Sequence, residues 1–350
     1  MGNAHKKGKF RDRKAMRGGH TKGKVLDVRW SPKEDMLLSV GNDSTCCVYR
    51  TGKFEKPYFK IQLPGPYATT GDMAKNRIVL AGTTKDISVY SAGVDDPLYS
   101  MKGHELAVSS VRFNRYRHEI LLSSSLDGSI REWDMVRKTC SRIFRDDDHG
   151  GCTGCAKVAW ASGNAGERVF LGAFEDATVH LFDGRSRSGN VVVFSGHDSD
   201  VNSVAWADDD SFFVSASSDS TVCVWDIKRP DKPLRRLGTT HIKGDAVDVS
   251  IRGGSESEDT FVYVAYADMP YFAVWPLGAS SFDADDSSSK SNSDGSNHMS
   301  PALHKRVNCV EVSPSGKYFA TGDWGSSVII WDIEKTKKSD WHTTGRFEIY

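Results

Sequence analysis

No apolar run in the 350-residue chain approaches the ~18 residues that a membrane-spanning helix needs. The amino terminus also lacks the apolar core of a secretory signal. Met1-Gly2 opens like a myristoylation signal, but Lys6 stands where that signal needs Ser or Thr, so no lipid anchor is expected. Charge of one sign is missing too: 46 Lys and Arg balance 46 Asp and Glu. That balance argues against a surface that binds polyanions as a whole, and leaves room for a local basic patch. Cysteine is scarce and odd in number, seven in all, mostly inside apolar runs. Thiols so dispersed point to a reducing compartment, cytoplasmic or nuclear. There is no Gly-rich phosphate loop, nucleophile elbow or paired zinc-binding His motif. The expectation is a non-enzymatic chain with no metal, cofactor or small-molecule substrate.

What the chain has is repetition. His118–Asp134, Ser211–Asp226 and Gly316–Asp332 each alternate apolar and polar residues, turn, alternate again and stop on Trp-Asp. Aligning such ends gives Tyr49, Tyr90, Trp133, Phe182, Trp225, Trp275 and Trp331, spaced 41, 43, 49, 43, 50 and 56 residues apart. This is the period of a four-stranded propeller blade, stretched by loops. Seven ends predict an all-β, seven-bladed propeller with four-stranded antiparallel blades. Period-2 alternation should bury one face of each blade against the next.

A constellation recurs at fixed offsets within the units. It comprises His104, Ser123, Asp127 and Trp133 in the third unit, and His197, Ser215, Asp219 and Trp225 in the fifth. The first unit has His20, Ser39, Asp43 and Tyr49. Hydroxyl, imidazole, carboxylate and aromatic N–H or O–H can form one buried hydrogen-bond chain. A Ser-His-Asp set would suggest a hydrolase if it occurred once. Repeated in blade after blade, it reads as structure.

These features resemble the WD-repeat family, with Gly103-His104 and Gly196-His197 as the Gly-His start and Trp133-Asp134 and Trp225-Asp226 as the end. The resemblance spans about residues 10–332 and implies the propeller fold. Several units depart from the pattern. The second lacks the His, the turn Asp and the Trp. The fourth has His149, Asp176 and Phe182 but Gly172 in the hydroxyl position. The sixth offers His241 and Asp268, one residue out of register, and the seventh His304, Thr321 and Trp331 with Gly325 for the Asp.

Outside the blades lie a basic arm (residues 1–9), a Ser- and Asp-rich insertion (about 279–301) and a tail (335–350). The first 24 residues hold nine Lys or Arg and one Asp. They suit a solvated arm, a nuclear signal or a contact to RNA, and about Phe10–Arg17 should supply a strand to the blade ending at Trp331. The tail competes for that edge. The insertion is too polar to order itself and offers Ser280 and Ser300 for phosphorylation. Cys152 and Cys155 form a single Cys-x-x-Cys next to His149, too few ligands for a structural zinc.

Function should therefore sit on the rim formed by the loops before each first strand and between second and third strands. Candidate partner-binding residues there are Lys24, Asn42, Ala107, Leu126, Glu175, Asp200, Ser218, Arg306 and Trp324. "ATGDWG" around Trp324 is similar to the last blade of heterotrimeric G-protein β subunits, a resemblance that implies a contact role for this Trp. The arm has no heptad pattern for the coiled coil by which that family holds its γ partner. The leading expectation is a scaffold or adaptor subunit that binds other proteins. One alternative is an mRNA-processing or export subunit, since the early blades resemble the WD-repeat subunit of the THO complex. Another is a substrate receptor of a cullin–RING ubiquitin ligase, whose Trp-Asp-x-Arg end is approximated by Phe182–Arg185.

Overall fold

The computed structural model describes residues 13–16, 19–21, 23–63, 68–145, 153–163, 168–186, 190–238, 244–255, 260–267, 269–277, 298–299 and 305–333. Within them, 28 strands form seven separate four-stranded antiparallel sheets. The first strands of blades one to seven are β2 (Val25–Trp30), β6 (Ala68–Ala74), β10 (Val108–Phe113), β14 (Cys155–Trp160), β18 (Val201–Trp206), β22 (Ala246–Arg252) and β26 (Val307–Val312). Each packs on the first strand of the next blade, and β26 packs on β2, so these seven line a closed ring.

The aligned aromatic ends all fall on third strands: β4 (Thr45–Arg50), β8 (Ile87–Ser91), β12 (Ile130–Asp134), β16 (Thr178–Asp183), β20 (Val222–Asp226), β24 (Phe272–Leu277) and β28 (Val328–Asp332). All seven side chains are buried. One-sided burial does not describe the second strands. β11 (Ile120–Ser125) and β19 (Phe212–Ser217) are buried at every position. A blade in a closed ring has a neighbour on each face, so its middle strands have no wet side.

The amino-terminal strand closes the ring. β1 (Arg13–Met16) lies antiparallel on β28, from Arg13 opposite Trp331 to Met16 opposite Val328. The last blade is thus built from both ends of the chain, which covers an edge that would otherwise be open. The arm, most of the insertion, the tail, and His149, Cys152, His241, Asp268 and His304 lie outside the described residues. The insertion's carboxyl end is a correction to the sequence reading. His298–Met299 forms β25 and pairs with Val274 and Ala273 of β24, completing the sixth blade.

A second set of bonds runs around the ring. Asp72 Oδ2 on β6 accepts the backbone N–H of Phe113 on β10 at 2.7 Å. Asp248 on β22 accepts from Val310 on β26 at 3.0 Å, and Glu311 accepts from Trp30 on β2 at 2.7 Å. The indole N–H groups of Trp160 and Trp206 donate to Arg112 and Ala159 carbonyls of the preceding blade, both at 3.1 Å. Bonds of this kind satisfy polar groups that the channel wall would otherwise leave dry. Asp248 and Glu311 are also paired with cations: Lys157 pairs with Asp248, and Arg29 lies 3.1 Å from Glu311 and 3.2 Å from Asp27.

Candidate functional site

In the third blade, Trp133 Nε1 donates to Ser123 Oγ at 2.8 Å. Ser123 Oγ lies 2.7 Å from His104 Nε2, and His104 Nδ1 lies 2.9 Å from Asp127 Oδ2. The fifth blade repeats this chain with Trp225, Ser215, His197 and Asp219 at 2.7, 2.7 and 2.8 Å. The first has His20 at 2.8 Å from Ser39 and 3.0 Å from Asp43, with the Tyr49 hydroxyl on Ser39. In the seventh, Trp331 Nε1 donates to Thr321 Oγ1 at 3.3 Å. A neutral imidazole with its proton on Nδ1 satisfies every link. Burial pushes the His104 pKa down, which favours that neutral form.

Burial alone would push Asp127 up. Hydrogen bonds from the Ser129 hydroxyl, the Glu105 and Ser129 N–H groups and His104 outweigh it and hold the carboxyl well below its usual range. His20 and Thr45 depress Asp43 in the same way, and His197 and Thr221 depress Asp219. Glycine precedes each His because the aromatic closes over it. A Cβ on Gly19 would sit 1.9 Å from Tyr49 Oη, and one on Gly196 would sit 2.9 Å from Trp225 Cη2. The three serines are fully buried and already bonded on both sides, so each is a strut beneath the rim and not an exposed nucleophile.

These struts place the rim loops. The residue after the turn Asp is left-handed in Ser44, Gly128, Ala177 and Ser220, and Ser326 keeps the same conformation after Gly325. In the seventh blade Asp323 takes over the missing turn carboxylate, accepting from Gly325 N at 2.8 Å and Ser327 N at 2.7 Å.

At the seam between blades seven and one, Trp324 stands 36% exposed. Lys24 Nζ lies 3.2 Å from its ring centroid and the Arg306 guanidinium carbon 4.5 Å. The loop beneath is tied down: Trp324 N–H donates to Arg306 O, and Gly23 N–H to Ser326 Oγ at 2.9 Å. Asn42 is half-buried and spends its Oδ1 on Lys24 N–H at 2.6 Å. Ser218 likewise accepts from Asn202 at 3.0 Å. Both hold loops in place. Leu126 is exposed on the third blade and Ala107 half-buried. Glu175 and Asp200 are exposed on blades four and five. The rim thus has a basic aromatic sector and an acidic one.

Sequence reasoning missed Leu106, 51% exposed, a second exposed leucine on the third-blade rim that carries Leu126. It also missed the acids of the channel wall. Their signal was a carboxylate within an otherwise mainly apolar first strand: Asp27, Asp72, Asp248 and Glu311. Arg185 is bound by its own Asp183 at 2.6 Å, and burial pushes the Cys155 thiol well above its usual range.

The class of protein is now defined: a seven-bladed β-propeller with an internally braced core and a rim of chemically distinct sectors. The family model described as "WD domain, G-beta repeat" matches residues 13–50, 95–134, 189–226 and 299–332. Each of those segments holds the first three strands of blade one, three, five or seven, the blades with the hydroxyl–aromatic bond, preceded by residues of the blade before. The chain thus carries WD repeats in those four segments. It is similar to the guanine nucleotide-binding protein subunit beta of Solanum tuberosum, 25% identical over 323 residues, covering 89% of this chain and 81% of that protein. The Arabidopsis thaliana subunit is 25% identical over 324 residues, with the same coverage of each chain. That of Oryza sativa subsp. japonica is 23% identical over 339 residues, covering 91% and 83%.

Proposed function

We propose that this chain is a non-catalytic interaction scaffold, a subunit of a multiprotein complex that holds a partner on the rim at the seam of blades seven and one. The observation that carries this reading is Trp324, exposed and flanked by Lys24 and Arg306 on loops that are already ordered. Preordered aromatics with adjacent cations are typical binding hot spots, because little entropy is lost on docking. The flanking charge suits a partner segment carrying acidic residues around an apolar anchor. The similarity to G-protein β subunits supports a protein partner. Leu106 and Leu126, with the acidic sector beyond, offer a second contact area. The compartment is cytoplasmic, nuclear or both.

The test is to compare partners that co-purify with the wild-type chain and with Trp324→Ala, each with and without ribonuclease. Loss of a ribonuclease-resistant partner in Trp324→Ala supports this assignment. Partners that survive Trp324→Ala and vanish with ribonuclease would move the function to RNA and the basic arm.

A further inference from the structure

The opposite face of the ring carries a different kind of site. Strands in a blade run antiparallel, so the turns that follow the first strands lie on the far side from Trp324. There the channel widens into a cavity of about 180 Å³ lined from all seven blades. Five cationic side chains face it (Arg29, Arg112, Arg115, Lys157 and Arg252) against the carboxylates of Asp72, Asp208 and Glu311.

The acids have largely committed their oxygens. Asp72 accepts from Met73 and Phe113 N–H, Glu311 from Trp30 N–H and Arg29, and Asp208 from Gly253 N–H. The arginines retain unused donors. Among the described residues, the side chains of Arg115 and Arg252 make no hydrogen bond or salt bridge, although the backbone of Arg252 pairs with Phe261 in the sheet. Arg29 Nη2 is buried without a hydrogen-bond partner. Arg115 is exposed, yet its charge acts on both Asp208 and Glu311, which places it over the mouth. Arg252 lies across the turn of blade seven, where a Cβ on Gly316 would meet its Nε at 2.5 Å.

Spare guanidinium donors in a recessed cavity match an acceptor-only, multiply charged group. A planar fork suits the oxygens of a phosphate better than those of a neutral ligand. The cavity is also too small for a folded partner element. We propose that this mouth binds a phosphate-bearing anion, held by Arg115 and Arg252 at the rim and Arg29 at the floor. Such a ligand would touch several blades at once and draw the ring together. No small molecule was expected from the sequence, because these arginines come from three separate blades.

The test uses the full chain and two probes: inorganic pyrophosphate by titration calorimetry, and phosphatidylcholine vesicles containing phosphatidylinositol 4-phosphate by cosedimentation. Saturable binding to either probe is expected, weakened roughly tenfold or more in Arg115→Ala/Arg252→Ala. It should be unchanged in Trp324→Ala, on the other face. Binding to pyrophosphate identifies a free anion as the source, and binding to vesicles alone identifies a lipid headgroup. The exposed single variant Arg115→Ala replaces the double if the latter melts early. Binding to neither probe, or binding that the arginine substitutions leave intact, overturns the proposal.

Discussion

The ammonium of Lys24 lies 3.2 Å from the centre of the Trp324 ring, joining the first blade to the last on the rim. Lys24 directly precedes β2, and Trp324 sits in the turn before β28, the strand that β1 completes. The contact exists only when the ring is closed. At a partly exposed site such a pair is worth about 0.5–1 kcal/mol. A double-mutant cycle on Lys24→Ala and Trp324→Ala by urea unfolding should return a coupling of about that size. Zero coupling would mean that the ammonium is free of the ring in solution.

The buried struts should cost more. Ser123→Ala leaves both the Trp133 N–H and His104 Nε2 without their partner in a dry site. The expected loss is about 1–3 kcal/mol for each group stranded. Leu126→Ala, exposed on the same blade, should change stability by less than about 0.5 kcal/mol. Chemical denaturation of the two variants side by side checks this. Equal effects would contradict the reading of Ser123 as a strut.

Stability depends on pH through two opposed groups, Asp72 on the channel wall and His104 in the third-blade strut. Burial pushes Asp72 up to about 7, against the pull of Arg29. Between its unfolded value near ~3.9 and about 7, the folded chain holds a proton that the unfolded chain has released. Asp72 therefore adds stability as pH falls through that window. Burial depresses His104, so below ~6.5 the unfolded chain takes up a proton first, and stability falls with pH. Asp72→Asn removes the first effect and leaves the second. Its stability should drop more steeply than that of wild type from pH 7 to pH 5, measured by urea midpoints. Parallel curves would show that Asp72 ionises normally.

Much of this architecture was legible because propeller blades impose fixed offsets. Trp133, Ser123 and His104 must stand at set distances along the chain to meet in space, and the same offsets return at Trp225 and Tyr49. Adjacency of blades seven and one also followed from closure, which brought Trp324, Arg306 and Lys24 onto one sector. The inter-blade bonds of Asp72, Asp248 and Glu311 were not legible, since their acceptors meet backbone N–H groups that leave no trace in side-chain pattern. The sixth blade's outer strand was hidden for another reason. Two residues, His298 and Met299, are too short to show periodicity, and they follow a long polar insertion. The arginine cavity draws one residue from each of several distant segments, so no local motif marks it.

The most direct test of the scaffold assignment is quantitative mass spectrometry of proteins co-purified with the tagged chain, wild type against Trp324→Ala. A stoichiometric, ribonuclease-resistant partner is expected in wild type and should fall at least about tenfold in the variant, as for a hot spot of roughly 1.4 kcal/mol or more. An unchanged partner set from a folded Trp324→Ala chain would contradict it.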